Sequence, residues 1–495
     1  MRKTTSTSHR RTARIAAAFA AAALVVTACG GDDDDDAGGR DTEAPAPGTD
    51  APAPVTDAPA PATDAPAPAT DAPPGTDAAP GTDAAPGTDA PPASGGGTIQ
   101  APGECGLGTG EEATGEPIKM GAIATTAEGY VFDWIPKMTK IYYDCVNANG
   151  GINGRPIELT ILEEQLDPAQ VESLAIQLVE EEEVVGITGS TSAIECDVND
   201  GYYTQFGIHP LIAGVAPTCF TSPNWSAVNM GPYYSNLGAA QAAIRMGATG
   251  KLVVISPDEP GMDFNNQGAI EYAESQGLEA VGLTTDTPIA DPAGLAQRLV
   301  QEAGEGGAVV LNFVPPVVLP VLQAIDEQGL VDSVVWASST PPNDNSVAAA
   351  LSDAWDGKFF INAEFDVLDS GKPDNVHMVD MHTAAGADFP MGAFPQMGYL
   401  VGRIATEALL SIDGEVTRES FNEALLGLTG FESDILCKPW YYSSGLDVGN
   451  VSNNADRTVT PQGDVMVQVE DCFDIAEVPS NPLAEIRAAE AARGG

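Results

Sequence analysis

A short apolar run at residues 184–187 ends abruptly in small hydroxylic residues, and this stretch constrains the fold more than any other. Such a run, bounded by turn residues, is typical of a strand buried on both faces of a parallel sheet. Gly-Ser-Thr-Ser follows at 189–192, where the strand stops. Ligands of open α/β sheets bind just outside the carboxyl ends of strands. Because hydroxyls and free backbone N–H groups can hold a carboxylate or an amide there, the stretch 184–193 predicts the centre of a binding cleft.

Strand and helix patterns alternate before this run. Strand-like segments at 118–123 and 157–162 flank an amphipathic helix at 133–147. Asp167 followed by Pro168 is typical of a helix start, since Asp caps the helix and Pro suits its first turn. The order strand, helix, strand, helix, strand predicts a parallel sheet with right-handed crossovers.

The second half of the chain repeats this order. Strand-like segments at 251–256 and 308–313 surround a helix start at Asp291 and Pro292. Two similar lobes would explain the repetition, and so would two ordinary capped helices that precede buried strands.

The first 28 residues are typical of an export signal. A basic start is followed by an apolar core at 15–26, which is too short to span a membrane as a mature helix. Val-Thr-Ala-Cys at 26–29 resembles the bacterial lipobox, which implies cleavage before Cys29 and its lipidation. We therefore expect an exported protein that is anchored by lipid to the outer face of the cell membrane. The alternative is an unmodified cysteine after a conventional cleavage site.

Residues 29–116 predict a disordered tether. An acidic run at 32–36 precedes a repeat of Thr, Asp, Ala and Pro, in which nothing is available to bury. Charged, Pro-rich segments of this kind are extended and unfolded. The tether would lift a folded domain away from the membrane while keeping it attached.

The net charge of −50 excludes some partners. Nucleic-acid binding needs clustered positive charge, and so does docking on anionic lipid head groups. No stretch after the N-terminus holds about 18 uninterrupted apolar residues, so the sequence predicts membrane attachment through the lipid alone.

Four elements of the sequence resemble one known family. Asn-Ala-Asn-Gly-Gly-Ile-Asn-Gly-Arg-Pro-Ile at 147–157 is followed by Asp-Pro-Ala at 167–169, by Gly-Ser-Thr-Ser at 189–192 and by Gly-Ile-His-Pro-Leu-Ile at 207–212. Their order and spacing resemble the branched-chain amino-acid-type binding proteins of ABC transporters, over about 117–465. The resemblance implies an α/β, type I periplasmic-binding-protein fold: two lobes, each a parallel sheet flanked by helices, joined by a three-crossing hinge that closes around a ligand.

The resemblance also implies how the chain divides between the lobes. We expect lobe 1 at 117–231, lobe 2 at 232–359, a return to lobe 1 at 360–430, lobe 2 and hinge at 431–479, and a polar tail at 480–495.

The ligand-binding residues follow from the same resemblance. The positions that match the family's ligand loops are Tyr130, Phe132, Thr191, Ser192, Ala193, Gly214, Val215, Ala216, Phe313 and Ser339. The implied function is capture of a small polar solute (an amino acid, an amide, urea or a short organic acid) and its delivery to an ABC permease. We expect a monomer without cofactor or catalytic activity.

The sequence departs from the family at Ser338 and Ser339, where amino-acid binders place a carboxylate that pairs with the ligand's ammonium group. A buried ammonium without a partner is costly. The ligand is therefore not an α-amino acid unless Asp258, Glu259 or Asp263 takes over this role.

Six cysteines remain after Cys29, and an even number in an exported protein predicts three disulfides. Of the fifteen possible connectivities, we favour Cys105–Cys145, Cys196–Cys219 and Cys437–Cys472. The first would pin the end of the tether to a helix, and the second would clamp the segment between two binding loops. We expect no metal site, because no Cys-x-x-Cys pair exists.

Two other functions are compatible with the same sequence features. A ligand sensor of the same fold would signal through a partner instead of feeding a transporter. A hydrolase using Ser192 is disfavoured, because no Gly-x-Ser-x-Gly elbow is present.

Overall fold

The computed structural model describes residues 99–127, 130–258, 262–442, 452–481 and 483–493. The predicted signal peptide, Cys29 and the part of the predicted tether up to residue 98 lie outside the described residues. Residues 99–116 were also expected in the tether, but Gln100 and Cys105 are buried and Gln100 Nε2 donates to Arg403 O at 2.9 Å, so this part of the segment packs on the folded domain.

The described residues form thirteen strands. They are β1 (Ile118–Ala127), β2 (Tyr130–Val131), β3 (Ile157–Glu164), β4 (Gly186–Ile187), β5 (Leu211–Ile212), β6 (Ser226–Ala227), β7 (Leu252–Pro257), β8 (Ala280–Thr285), β9 (Ala308–Leu311), β10 (Val335–Ser338), β11 (Phe359–Ala363), β12 (Ala455–Gln462) and β13 (Val465–Asp474).

Helices connect and cover these strands. The α-helices are α1 (Trp134–Ala148), α2 (Pro168–Ile176), α3 (Glu195–Phe206), α4 (Thr218–Thr221), α5 (Gly231–Arg245), α6 (Met262–Ser275), α7 (Pro292–Ala303), α8 (Pro315–Glu327), α9 (Asn345–Ala350), α10 (Pro373–Ala385), α11 (Ala393–Leu410), α12 (Arg418–Leu426) and α13 (Leu483–Arg493). A π-helical turn, Gln177–Glu181, extends α2.

The first lobe is built on a small sheet centred on β1. Strand β1 pairs in parallel with β3 and β4 and carries the short antiparallel β2 at its end. Side chains alternate between its faces: Met120 and Ala122 pack in one apolar cluster, and Ile123 packs in another. Because apolar residues cover both faces, the strand reads as a nearly continuous apolar run in the sequence.

The second lobe is built on a seven-stranded sheet in the order β13-β12-β11-β10-β9-β7-β8. The five strands from β8 to β11 are parallel, and β12 and β13 add an antiparallel hairpin at one edge. Alternate residues of β7 again enter two different clusters, Val253 and Ile255 on one face and Leu252 and Val254 on the other. The predicted α/β fold of two sheets flanked by helices is confirmed, with the hairpin as an addition that the sequence did not predict.

The two predicted helix starts are present. The Asp167 carboxylate accepts a hydrogen bond from Ala169 N at the start of α2, and Asp291 accepts one from Gly294 N at the start of α7. In both helices a proline occupies the first turn, where its missing N–H costs nothing. The similar order of the two halves therefore reflects two lobes as well as two capped helices.

The chain passes between the lobes at points that differ from the expected boundaries. Helix α5 begins at Gly231 and packs on the second sheet. Strand β11 still belongs to that sheet, so the return to lobe 1 follows Ala363 instead of beginning at Phe360. Trp440 and Tyr442 pack in the first-lobe core, which places the next passage after Tyr442 instead of at 431. These boundaries shift because strand pairing and core packing, not turn residues, decide where each lobe ends.

The C-terminal residues return once more to the first lobe. Leu483 and Ile486 of α13 are fully buried against the cluster that contains Ile123. The segment expected as a polar tail at 480–495 is thus a packed helix over its described residues. Two apolar side chains at a spacing of i and i+3 were enough to bury one face.

All three predicted disulfides are confirmed. Cys105–Cys145, Cys196–Cys219 and Cys437–Cys472 are bonded, with Cα–Cα separations of 6.0, 5.3 and 5.7 Å. Among the described helices, none has the length and apolar character needed to cross a bilayer.

Candidate functional site

A cavity of about 490 Å³ lies between the two lobes, at the carboxyl ends of their parallel strands. The first lobe contributes the loops that follow β1, β4 and β5. The second lobe contributes Pro257 at the end of β7 and residues that follow β9 and β10. This is the position at which open α/β sheets bind ligands, and the volume is that of an ordinary small-molecule site.

Nine of the ten residues expected to bind the ligand line this cavity. They are Tyr130, Phe132, Thr191, Ala193, Gly214, Val215, Ala216, Phe313 and Ser339.

Ser192, which we expected at the centre of the cleft, does not line the cavity. Its hydroxyl donates to Glu164 Oε1 at 2.9 Å and accepts from the N–H groups of Ile194 and Glu195, just ahead of α3. Successive side chains of an extended segment point to opposite sides, so Thr191 and Ala193 face the cavity and Ser192 faces away. The expectation for Ser192 was wrong because the motif does not show which hydroxyl of Ser-Thr-Ser faces outward.

Apolar side chains dominate the cavity wall. Phe132 packs edge-to-face on Phe394, with ring centroids 5.7 Å apart, and Tyr130 lies beside Phe132. Sequence reasoning missed a further group of apolar lining residues, because their positions follow from packing between distant segments and not from a motif: Ile135, Leu166, Ile194, Val314, Val317, Phe394 and Met397. No lysine or arginine occurs among the described residues that line the cavity.

Most polar side chains of the wall hydrogen-bond to the protein itself. Asn229 makes two hydrogen bonds with the backbone of Gly214, both of 2.8 Å. Ser339 Oγ donates to Asn312 Oδ1, and Asn312 Nδ2 donates to Ser256 Oγ. These side chains therefore shape the cavity more than they offer free hydrogen-bonding groups to a ligand.

Two backbone donors remain available. Within the described residues, the N–H groups of Val215 and Ala216 form no hydrogen bond, and both residues line the cavity. A buried N–H group without a partner is rare, because it costs about as much as a lost hydrogen bond. The pair is suited to an oxygen acceptor of a ligand.

Within the described residues, none of the carboxylates expected to take over the role of the family's carboxylate lines the cavity. Ser338 donates to Leu311 O inside the sheet. Asp258 is exposed and does not line the cavity, Glu259 lies outside the described residues, and the side chain of Asp263 is not described.

The one buried carboxyl in the cavity wall, among the described residues, belongs to Glu364, which sequence reasoning missed. Glu364 Oε2 accepts hydrogen bonds from Met230 N at 2.6 Å and from Asn453 Nδ2 at 3.4 Å. Burial raises the pKa of this carboxyl from 4.5 to about 8, against the smaller effects of the Met230 N–H group and the Thr340 side chain, which lower it. Burial therefore favours the protonated form of this group. No motif surrounds Glu364, so the sequence offered no signal for it.

One cluster of potential metal ligands occurs among the described residues, at Cys105, Cys145 and His377. Both sulfurs belong to a disulfide, so neither is available as a thiolate ligand.

Comparisons with known proteins agree with this architecture. A family model described as "Periplasmic binding protein" matches residues 118–448. The chain belongs to the periplasmic binding protein family. The predicted class, an ABC-transporter substrate-binding protein of the type I fold, is thereby confirmed. No curated protein matches the sequence.

Several solved structures share the fold at low sequence identity. A branched-chain amino-acid ABC transporter protein from Thermus thermophilus with bound valine has a TM-score of 0.64 and 16% identity, covering 73% of this chain and 98% of that one. A fatty acid ABC transporter substrate-binding protein from Thermomonospora curvata has a TM-score of 0.63 and 18% identity, covering 74% and 94%. A solute-binding protein from R. palustris in complex with benzoate has a TM-score of 0.60 and 17% identity, covering 74% and 98%.

Proposed function

We propose that this protein captures a largely apolar small molecule that carries one oxygen acceptor, such as an aromatic or short aliphatic acid, and delivers it to an ABC permease. The observation that carries the proposal is the interlobe cavity, whose wall is mainly apolar and includes two neighbouring N–H groups, at Val215 and Ala216, that form no hydrogen bond within the described residues. Of the solute classes that the sequence suggested, an organic acid with an apolar body fits this wall best.

The energetics of burial favour such a ligand. Apolar surface removed from water contributes about 25 cal/mol per Å². Urea or a small amide would instead lose its hydration to a wall whose polar side chains already bond to each other, and an unpaired polar group costs about 1–3 kcal/mol. The two free N–H groups at Val215 and Ala216 supply partners for one oxygen acceptor without a buried cation.

Calorimetric titration of the full lipidated chain in phospholipid nanodiscs tests the proposal. We expect benzoate, 4-hydroxybenzoate and hexanoate to bind, and urea, acetamide and valine to bind at least tenfold more weakly. Binding of the polar solutes alone, or of none of the six, would refute it.

A cavity-filling variant locates the binding. Ala193→Phe places a ring in the cavity, and we expect it to weaken benzoate binding by about tenfold or more, which is about 1.4 kcal/mol. Ala385→Phe is the matched control, because Ala385 is exposed at the end of α10, away from the cavity. Equal affinities of the two variants would place the binding site elsewhere.

The membrane anchor is a separate part of the proposal. Lipidation of Cys29 would hold the protein on the outer face of the membrane through more than one acyl chain, since a single chain binds only marginally. We expect Cys29→Ala to move the exported protein from the membrane fraction to the soluble fraction. A variant that stays with the membrane would show that the anchor lies elsewhere.

A further inference from the structure

Glu364 lies where three passages between the lobes meet. It follows β11 directly, and its carboxyl accepts from Met230 N, just ahead of α5, and from Asn453 Nδ2, just ahead of β12. Asn453 uses its other N–H to donate to Val228 O at 3.1 Å. The Glu364 side chain is thus fixed by hydrogen bonds from both other passages while it lines the cavity.

Both hydrogen bonds to the Glu364 carboxyl reach the same oxygen, since Met230 N and Asn453 Nδ2 donate to Oε2. Within the described residues no hydrogen bond to Oε1 is formed, and Glu364 lines the cavity. A proton carried on Oε1 therefore has no acceptor in this network. The cavity is the remaining direction in which this proton can be donated.

The surroundings keep this proton on Glu364. A second carboxyl, that of Asp456 on β12, is fully buried, and within the described residues neither of its oxygens has a hydrogen-bond partner. Burial is the main cause of the raised pKa of both carboxyls, and the charge of Glu364 raises the pKa of Asp456 further. The nearby cations of neighbouring elements are directed to another acid: Lys372 Nζ lies 2.9 Å and Arg457 Nε 3.9 Å from Asp366.

We propose that Glu364 determines the specificity of the cavity: its protonated carboxyl donates a hydrogen bond to an uncharged or anionic oxygen of the ligand. This inference depends on the proposed function, since it assigns a contact within the same cavity. An ammonium group would bring three donors to a wall whose acceptors are largely used. An oxygen acceptor of the ligand can instead accept hydrogen bonds from groups that have no acceptor within the described residues, such as the Glu364 hydroxyl and the N–H groups of Val215 and Ala216.

The test compares three probes of one shape between pH 6.5 and 9.5: methyl benzoate, benzoate and benzylamine. Calorimetry uses the full lipidated chain in nanodiscs, with empty nanodiscs as the blank. We expect methyl benzoate and benzoate to lose affinity above pH 8, by up to about tenfold per pH unit, because the ionised carboxyl no longer donates. Benzylamine that binds more tightly than both, with an affinity that rises with pH, would overturn the assignment without any variant.

Glu364→Gln isolates the proton, because the amide keeps the shape and a donor but does not titrate. We expect it to remove the decline in methyl benzoate affinity above pH 8. Glu195→Gln is the matched control: Glu195 is also fully buried with a pKa raised to about 7, but it does not line the cavity, so its variant should keep the decline.

The outcomes separate this inference from the proposed function. If wild type binds none of the probes at pH 6.5, the proposed function fails, and the assignment of Glu364 fails with it. If wild type binds methyl benzoate but its pH profile is flat, or Glu364→Gln keeps the wild-type decline, only the assignment of Glu364 is wrong.

Discussion

Replacing Glu195 by glutamine should make the free energy of unfolding less sensitive to a rise in pH from 5 to 8. Glu195 opens α3, is 1% exposed and accepts from Tyr203 OH at 2.6 Å. Burial raises the pKa of its carboxyl from 4.5 to about 7, while hydrogen bonds from Tyr203 and Ser190 lower it in part and the charge of Glu164 raises it further. The folded protein therefore holds this proton more tightly than the unfolded chain does.

The sign and size of the effect follow from linkage. Since the folded-state pKa is the higher one, the stabilisation from this group is complete below pH 4.5 and is lost as the pH rises to about 7. At about 1.36 kcal/mol per pKa unit, the full loss is about 3 kcal/mol, of which about 2 kcal/mol falls above pH 5. Glutamine resembles the neutral acid and cannot ionise, so the variant avoids this loss.

Denaturant unfolding at several pH values measures the difference directly. We expect Glu195→Gln to match wild type within about 1 kcal/mol at pH 5 and to exceed it by about 2–3 kcal/mol at pH 8. Contributions from the other buried acids occur in both proteins and cancel. Glu172→Gln, at an exposed position of α2, is the control and should differ from wild type by the same small amount at every pH. A difference between Glu195→Gln and wild type that stays constant from pH 5 to pH 8 would refute the reasoning.

Three further variants test the packing of the first lobe and of the α5 interface. Asp374→Asn leaves the fully buried guanidinium of Arg403, 2.5 Å away, without its charge partner, and chemical denaturation should show a loss of about 3–5 kcal/mol; a loss below 1 kcal/mol would contradict this. Removing the disulfide of Cys196 and Cys219 by a double change to alanine frees a loop with a sequence separation of 23, and the expected loss is about 3 kcal/mol by the same assay, against no change if the unfolded state is already compact. Gly238→Ala should destabilise by about 1–3 kcal/mol despite the better helix propensity of alanine, because its Cβ would clash with the buried oxygens Asn362 Oδ1 and Asp456 Oδ2. A more stable variant would show that this contact relaxes.

Features with a local cause were predictable from the sequence. A capping aspartate followed by proline needs only the next few residues to start a helix, and both α2 and α7 begin at such a pair. Strands covered on both faces must be apolar throughout, which made β1 and β7 recognisable.

Features that depend on packing between distant segments were not predictable. The edge hairpin of β12 and β13 has a mixed burial pattern, and its pairing with β11 is decided by the sheet edge that the parallel strands leave open. Helix α13 consists mainly of alanine and charged residues, and its two large apolar side chains, Leu483 and Ile486, bury against the first lobe. In both cases the local sequence is compatible with an exposed segment, and contacts with distant parts of the chain determine that the segment packs on the protein.

The candidate site shows the same division between local and distant causes. Loops that follow strands are easy to find in a sequence, and nine of the ten residues expected there line the cavity. The direction of each side chain depends on the alternation along the extended segment, which the sequence did not show at Ser192. Glu364 has partners 134 and 89 residues away in sequence, at Met230 and Asn453, and no local pattern can indicate such a junction.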